Sequence, residues 1–471
     1  MLFNSIPFLI FFPIVTLVFY LLPHRFRWIH LLAASCFFYM YFVPEYILIL
    51  LITIVIDYAA GIYMEKAEGK RRKTYLVVSV VSTCLVLVIF KYLDFFNGNI
   101  ISLSQIFGFS YPDRLLNIIL PIGLSFHTFQ SLSYVIEVYR GNQKAEKHFG
   151  LYSLYVMFYP QLVTGPIERP QNLLRQLKEK KVFEMSNITR GLRLILFGLF
   201  IKMVIADNLA VYVDQIYENP EIYNSLSLLT GLFFYSFQIY CDFFGYSTIA
   251  LGCALAMGYS ITDNFKTPYL AKNINEFWHR WHISLSTWFR DYVYFSMGGN
   301  RVKTPRWIFN IVIVFVLSGF WHGANWTFVI WGGAYAVVYL VEHAIRKIIK
   351  LDFSKNRVIS LIFNGFAILK NFVLVTLIWV CFRSVDLWHI KHFFGSIYHN
   401  FNQGDILYIE RKMWVFLAFF IALDVILRKS RFDTWCEKRP FVVRWGLYAV
   451  MLFLIIAFSS VESFPFIYFQ F

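Results

Sequence analysis

Long uninterrupted apolar runs constrain this chain more than any other feature. Runs of roughly 18 or more apolar residues, enough for a helix to cross a hydrocarbon core of about 30 Å, recur from end to end. They do not alternate with a period of two, so a closed β-barrel is not expected. Only 15% of the 471 residues are charged, whereas about a quarter are charged in soluble domains. The sequence therefore predicts an all-α, polytopic membrane protein in contact with a lipid bilayer.

The formal net charge of +15 is concentrated in short segments between the apolar runs. Examples are "EKAEGKRRK" (65–73), "ERPQNLLRQLKEKK" (168–181) and "RKSRFDTWCEKR" (428–439), whereas "YENPEIYNS" (217–225) contains no lysine or arginine. Basic residues in short connecting loops are typical of the cytoplasmic side of a membrane protein. This distribution argues against nucleic-acid binding, so we expect no nucleic-acid partner.

Placing the basic segments in the cytoplasm predicts ten to twelve spanning helices and puts both termini on the extracytoplasmic side. Two short spans turn at Val43-Pro44, and the run 306–341 is long enough to cross twice. Further spans are expected at about 74–97, 115–139, 194–216, 226–258, 358–383, 412–428 and 441–461. The piece 149–163, broken by Pro160, is too short to cross and predicts a re-entrant or half-length helix.

The longest aromatic-rich polar segment, "NINEFWHRWHISLSTWFRDYVYFSMGGNR", occupies 273–301. Aromatic side chains at spacings of three and four predict one helix over 275–295, lying at the membrane interface on the basic side. An amphipathic anchor alone would explain most of this stripe. His282 would share the buried face with Trp278 and Trp281. His282 is therefore either a hydrogen-bonded residue of the protein core or a residue with a functional role.

A second histidine lies in "LSGFWHGANW" (317–326), within an otherwise apolar run. An ionisable side chain in a span is costly and usually marks a pathway or a reactive site, so we favour a functional His322 over a structural one. Gly319 and Gly323 could let the chain bend or let a substrate approach the backbone. Asn325 adds a polar group at the same level.

Other polar residues in the sequence give weaker evidence for a functional role. His279 and His282 are three residues apart, but no third ligand has a suitable spacing, so we expect no metal. Asp57 and Asp242 lie in expected spans, where pairing between helices and a functional role both remain open.

The two histidine segments together resemble the signature segments of the membrane-bound O-acyltransferase (MBOAT) family. Within it they resemble the bacterial branch that O-acetylates alginate and peptidoglycan. The resemblance extends across most of the chain and includes "PIGLSFHTFQSLSYVIEVYRG" (121–141), "QLVTGPIERP" (161–170) and "DFFGYSTIALGCALAMGY" (242–259). It implies one MBOAT domain over 1–471, with its core at about 115–345 and an interfacial helix at about 275–297.

The family's motif histidine falls on His322 and its second motif position on His282, so the resemblance implies that both are catalytic. It also implies spanning and re-entrant helices around a central tunnel. Either His322 acts as a general base, or it carries the acyl group covalently. Candidate residues for the substrate and donor tunnel are Trp278, Trp281, Trp321, Asn325, Gln161, Glu168 and Arg169.

The implied enzyme is an O-acetyltransferase of the bacterial cytoplasmic (inner) membrane without a permanently bound cofactor. The donor would be acetyl-CoA or an acyl carrier protein, and the acceptor an alginate-like exopolysaccharide or peptidoglycan. An extracytoplasmic SGNH-type acetyltransferase or esterase would be the partner. A transporter or polymer-export channel with proton-coupling histidines is the alternative from another class, but no internal repeat supports it. A lipid or sterol acyltransferase is a third possibility.

Overall fold

The structure is a computed structural model, and it describes residues 1–109, 111–112, 121–163, 165–349, 357–459 and 465–469. Over these residues it is helical, without a β-strand, which confirms the predicted all-α class. The α-helices are α1 Ile6–Leu21, α2 His24–Met40, α3 Tyr46–Lys66, α4 Gly69–Leu87, α5 Leu93–Phe107, α6 Leu124–Arg140, α7 Phe149–Met157, α8 Tyr159–Leu162, α9 Pro170–Lys178, α10 Met185–Phe200, α11 Asp207–Glu218, α12 Ser225–Ala256, α13 Ile274–Trp278, α14 Ile283–Trp288, α15 Thr304–His322, α16 Trp326–Ile348, α17 Arg357–Arg383, α18 Leu387–His399, α19 Arg411–Ile426, α20 Phe432–Glu437 and α21 Phe441–Phe458.

Eight helices of the described residues are long and apolar enough to cross a membrane, fewer than the ten to twelve expected. They are Tyr46–Lys66, Gly69–Phe107, Met185–Glu218, Ser225–Ala256, Thr304–His322, Trp326–Ile348, Val358–Arg383 and Phe441–Phe458. The remaining expected spans correspond to shorter helices: α1 and α19 have 16 residues, and α2 and α6 have 17. A perpendicular crossing needs about 20. The first part of the span expected at 115–139 and the end of that at 441–461 lie outside the described residues.

Residues 1–195 and 249–262 form one compact unit, here called unit 1. As predicted, the piece 149–163 forms half-length helices: α7 has nine residues and α8 has four, and nearly all of their side chains are buried. Asp57 on α3 is buried and accepts hydrogen bonds from Ser79 (2.5 Å) and Thr83 (3.0 Å) on α4. Its pairing between helices is therefore confirmed.

Residues 196–248 and 263–471 form the second compact unit, unit 2. The run 306–341 forms the antiparallel pair α15 and α16, and each of these helices is long and apolar enough to cross a membrane, as expected. The two helices can pack closely because glycine has no Cβ atom at the points of contact. A Cβ at Gly319 would collide with the carbonyl oxygen of Phe328, and one at Gly332 would collide with that of Phe315. Gly323 lies against the ring of Phe328. The glycines beside His322 thus serve the close packing of α15 and α16.

The expectation of one continuous helix over 275–295 is wrong. The chain forms α13, a turn, α14, a π-helix at Phe289–Tyr294 and a 3-10 turn at Phe295–Met297. Asn264 causes the break, because its carbonyl accepts from the Ile283 N–H (3.0 Å) and its side chain accepts from the Ser284 hydroxyl (2.6 Å). The aromatic side chains of this segment are buried inside unit 2, with Phe277 at 0% and Trp281 at 1% exposure, so the burial expected for Trp281 is confirmed.

Candidate functional site

His322 is the last residue of α15, where the hairpin turns into α16. Only 3% of its surface is exposed. Its ring packs against four aromatic rings, with centroid distances of 4.8 Å to Trp321, 5.0 Å to Trp331, 5.4 Å to Phe382 and 5.5 Å to Tyr468. The histidine thus lies at the end of a span, in an aromatic enclosure, and not in the middle of a helix.

His282 adopts a left-handed backbone with φ of 43°, which is uncommon for a residue other than glycine. Such backbone strain is typical of functional sites. Its ring is fully buried and packs 4.6 Å from Phe243, 6.3 Å from Trp321 and 6.4 Å from Tyr468. Burial lowers the pKa of His282 to about 3, because loss of solvent disfavours the imidazolium. The ring is therefore neutral at physiological pH.

The two imidazoles share a site, since both rings pack on Trp321 and Tyr468. We call His282 and His322 the histidine pair. His279, three residues from His282, is exposed, and its ring Nδ1 lies 2.7 Å from the Asn275 carbonyl oxygen. No group of three or more His, Cys, Asp or Glu suited to hold a metal occurs within the described ranges.

Trp278 and Trp281, predicted to line the tunnel, form the aromatic wall behind His322. Trp278 packs 5.8 Å from Trp331, which itself contacts His322. Trp281 packs 5.1 Å from Trp379, whose ring stacks on Trp331 at 5.8 Å. Both tryptophans thus connect to the histidine through Trp331.

Both polar groups of the Asn325 side chain form hydrogen bonds with the backbone. Its side-chain oxygen accepts from the Thr327 N–H (3.1 Å) and caps the N-terminus of α16, and its amide donates to the Val385 carbonyl (2.7 Å). Both polar groups of this side chain therefore stabilise the turn that follows His322.

Gln161, Glu168 and Arg169 belong to unit 1. The Gln161 amide donates to the Tyr155 carbonyl (2.7 Å), and Arg169 precedes α9 as its N-cap residue. The Glu168 carboxylate is fully buried and accepts from the Thr262 N–H (2.5 Å) and the Asn172 amide (2.6 Å). Burial raises the pKa of Glu168 despite these hydrogen bonds.

A buried charged cluster, not predicted from the sequence, holds the C-terminal segment. Lys202 lies 2.6 Å from the Asp207 carboxylate and 2.5 Å from that of Asp242. The second oxygen of Asp242 accepts from the Ile467 N–H (2.7 Å), one residue before Tyr468. Asp242 thus pairs both with Lys202 on a neighbouring helix and with the backbone of the C-terminal segment. The cluster therefore holds in place the segment that carries Tyr468, whose ring contacts both histidines.

Sequence reasoning missed Tyr468, Trp331 and Phe243 as members of the site. The aromatic terminal segment and "VIWGGAY" (329–335) were visible signals, but aromatic residues are too frequent in this chain, at 20%, to single them out.

Comparisons with known proteins indicate the family to which this chain belongs. The family model described as MBOAT, membrane-bound O-acyltransferase family, matches residues 147–384. The chain is similar to the "Probable alginate O-acetylase" of Pseudomonas aeruginosa, with 35% identity over 82% of this chain and 73% of the relative. The chain is also similar to the peptidoglycan O-acetyltransferase of Helicobacter pylori, with 33% identity over 76% of this chain and 71% of the relative. Similarity to the teichoic acid D-alanyltransferase of Bacillus subtilis is more limited, with 31% identity over 47% of this chain and 58% of the relative.

Proposed function

Because this chain belongs to the membrane-bound O-acyltransferase family, we propose that it moves an acetyl group from a cytoplasmic thioester to the hydroxyls of an exported or cell-wall polysaccharide. The chain is a membrane O-acyltransferase. The observation that carries the finer proposal is the histidine pair, in which two buried imidazoles pack on the same tryptophan and tyrosine rings. Relatives named for alginate and peptidoglycan acetylation support acetyl as the group and a polysaccharide as the final acceptor.

In the proposed reaction His322 acts as general base. A ring nitrogen of His322 takes the proton of the acceptor hydroxyl while that oxygen attacks the thioester carbonyl carbon, a step that requires this nitrogen to be unprotonated. The new carbon–oxygen bond forms, the carbon–sulfur bond breaks, and the thiolate leaves and takes up the proton. His322 ends α15, and the partial negative charge at a helix C-terminus stabilises the transient imidazolium by about 0.3–1 kcal/mol.

His282 complements this base. Because it is neutral, it carries one ring N–H that can donate to the oxyanion of the tetrahedral intermediate. Its left-handed backbone, held by Asn264, fixes the direction of the ring. The surrounding aromatic rings exclude water, which strengthens such a hydrogen bond and limits hydrolysis of the thioester.

Covalent relay is the alternative role for His322. In that route a ring nitrogen attacks the thioester, the thiolate leaves, and the hydroxyl then attacks the acetyl-imidazole and breaks its carbon–nitrogen bond. Trapping with radiolabelled acetyl-CoA distinguishes the routes. An acid-quenched acetyl-histidine that disappears in His322→Ala supports relay, whereas general-base catalysis leaves no label on His322.

We further propose acetyl-CoA as donor, with an acyl carrier protein as the second candidate, and an extracytoplasmic SGNH-type protein as the partner that delivers the acetyl group. The described segments between the spanning helices are short or are packed within unit 1 or unit 2. None of them forms a separate soluble domain for a polymer. We also propose that the enzyme lies in the bacterial cytoplasmic membrane with both termini extracytoplasmic, an orientation supported by the basic segments between the apolar runs.

The decisive experiment compares His322→Ala with His279→Ala, a matched control because His279 is exposed in the same motif. Esters released from cell-wall and secreted glycans by mild alkali are identified by mass spectrometry. His322→Ala should abolish the released acetate at an unchanged protein level, and His279→Ala should retain it. Acetate that persists in His322→Ala refutes the catalytic role, and D-alanine in place of acetate refutes the acetyl assignment.

A further inference from the structure

A cleft with a volume of about 220 Å³ opens within unit 1, at the turn between α1 and α2. One side of it is the start of α2, with His24, Arg25 and Arg27, and another is the end of α9. Its floor is apolar and includes Leu151 and Leu154. The basic segments 23–30 and 168–181 thus converge on one depression between helices.

The lining carries an excess of fixed positive charge. Two of its lysines are compensated, because Lys178 pairs with Glu146, and Lys181 pairs with Glu179 at 2.9 Å. The charges of Arg25 and Arg27 remain uncompensated by carboxylates among the described residues. A concave surface of one sign focuses its potential and attracts a counter-ion.

The geometry of the two arginines differs in a useful way. Arg27 is built into the wall, since its guanidinium donates to the Leu22 carbonyl (3.0 Å) and lies 4.8 Å above the Phe19 ring. Arg25 is exposed at the mouth, with its guanidinium 4.7 Å above the ring of Phe26. Arg27 therefore supplies a fixed charge, and Arg25 can reach a ligand without disturbing the fold.

Large apolar side chains flank the cleft on the outer surface. Leu21 and Phe26 next to the turn are 73% and 42% exposed, and Phe183, two residues beyond Lys181, is 54% exposed. Exposed apolar groups beside helix ends face acyl chains, and basic pockets between such helices bind lipid headgroups. The cleft thus combines a cationic interior with an apolar border.

We propose that this cleft binds the phosphate of an anionic phospholipid, with the headgroup between Arg25 and Arg27 and the acyl chains over Leu21 and Phe26. A phosphate of a coenzyme A-type molecule has the same chemistry, but it would leave the apolar border unused. The site does not depend on the proposed acyl transfer, because binding is measured without turnover.

The test uses the full-length protein in non-ionic detergent micelles with equal amounts of phosphatidylglycerol and phosphatidylcholine, and native mass spectrometry counts the lipids bound. Wild type should retain one phosphatidylglycerol in preference to phosphatidylcholine. Arg25→Glu should weaken this preference about tenfold, because it replaces an attractive charge by a repulsive one. Lys144→Glu, an equal charge change at an exposed site outside the cleft, should not.

The competing source is tested with free coenzyme A. If it displaces the bound phosphatidylglycerol from wild type, and Arg25→Glu abolishes the competition, the phosphate site is supported and coenzyme A shares it. If only the lipid binds, the lipid assignment is supported. Equal phosphatidylglycerol binding by wild type, Arg25→Glu and the milder Arg25→Gln, all with unchanged elution and melting temperature, overturns the proposal.

Discussion

Replacing Lys202 by methionine should strongly destabilise unit 2. The ammonium group is 2% exposed and lies between two carboxylates that are 4% and 6% exposed, those of Asp242 and Asp207. Methionine preserves the length and the packing of the side chain but removes the charge. Two buried carboxylates then face each other without their counter-ion, and the acceptor that holds the Ile467 N–H loses its partner.

The expected loss of stability in Lys202→Met follows from the burial of the ion pair. Removing one member of a buried ion pair costs about 3–5 kcal/mol, because the remaining charge stays desolvated. The measurement is the free energy of unfolding in mixed micelles for wild type, Lys202→Met, Asp242→Asn and the double variant. The double variant should be less destabilised than the sum of the single variants, with a coupling energy of about 2 kcal/mol.

The exposed pair Lys412 and Glu410, 2.7 Å apart and 39% and 49% exposed, is the control. Its coupling energy should be less than about 1 kcal/mol. If the coupling of Lys202 with Asp242 is no larger than that of the exposed pair, the cluster does not stabilise unit 2, and the argument for its hold on the C-terminal segment fails.

Three further predictions concern the site and its support. Gly319→Ala should lower the free energy of unfolding by about 1–3 kcal/mol, because the added Cβ would collide with the Phe328 carbonyl oxygen. Gly333→Ala should be neutral or stabilising by up to about 1 kcal/mol, because its Cβ would meet no atom within 4 Å outside its own stretch of helix. Equal effects would contradict the packing argument. Since the pKa of His282 is lowered from 6.5 to about 3, the unfolded chain binds the proton first. As the pH falls from 6.5 towards 3, wild type should therefore lose melting temperature relative to His282→Asn, whereas parallel profiles would show that the ring is solvated. Tyr468→Ala should reduce acetate ester at least tenfold at an unchanged protein level, because both histidines lose a packing surface; full activity would exclude that role.

The contrast between the two histidine segments shows where sequence reasoning stops. The pair α15 and α16 was predictable, because hydropathy and length are local properties of 306–341. The break between α13 and α14 was not, although aromatic periodicity over 275–295 is strong. The hydrogen bonds that replace the helical ones come from Asn264, nearly twenty residues upstream, and periodicity carries no information about such a partner.

The sequence by itself determined the membrane setting, the half-length helices and the choice of His322, because apolar length, prolines and rare buried ionisable groups can be recognised one segment at a time. His282 was left open by its own segment and was chosen because of the family resemblance. Only the tertiary structure decided that the two imidazoles meet on Trp321 and Tyr468, and that Trp278 and Trp281 stand behind them. It also decided that Asp242, paired with Lys202, anchors the segment that carries the tyrosine. These facts depend on which distant surfaces pack together. Packing is settled by complementary shape and paired buried charge between segments far apart in the chain.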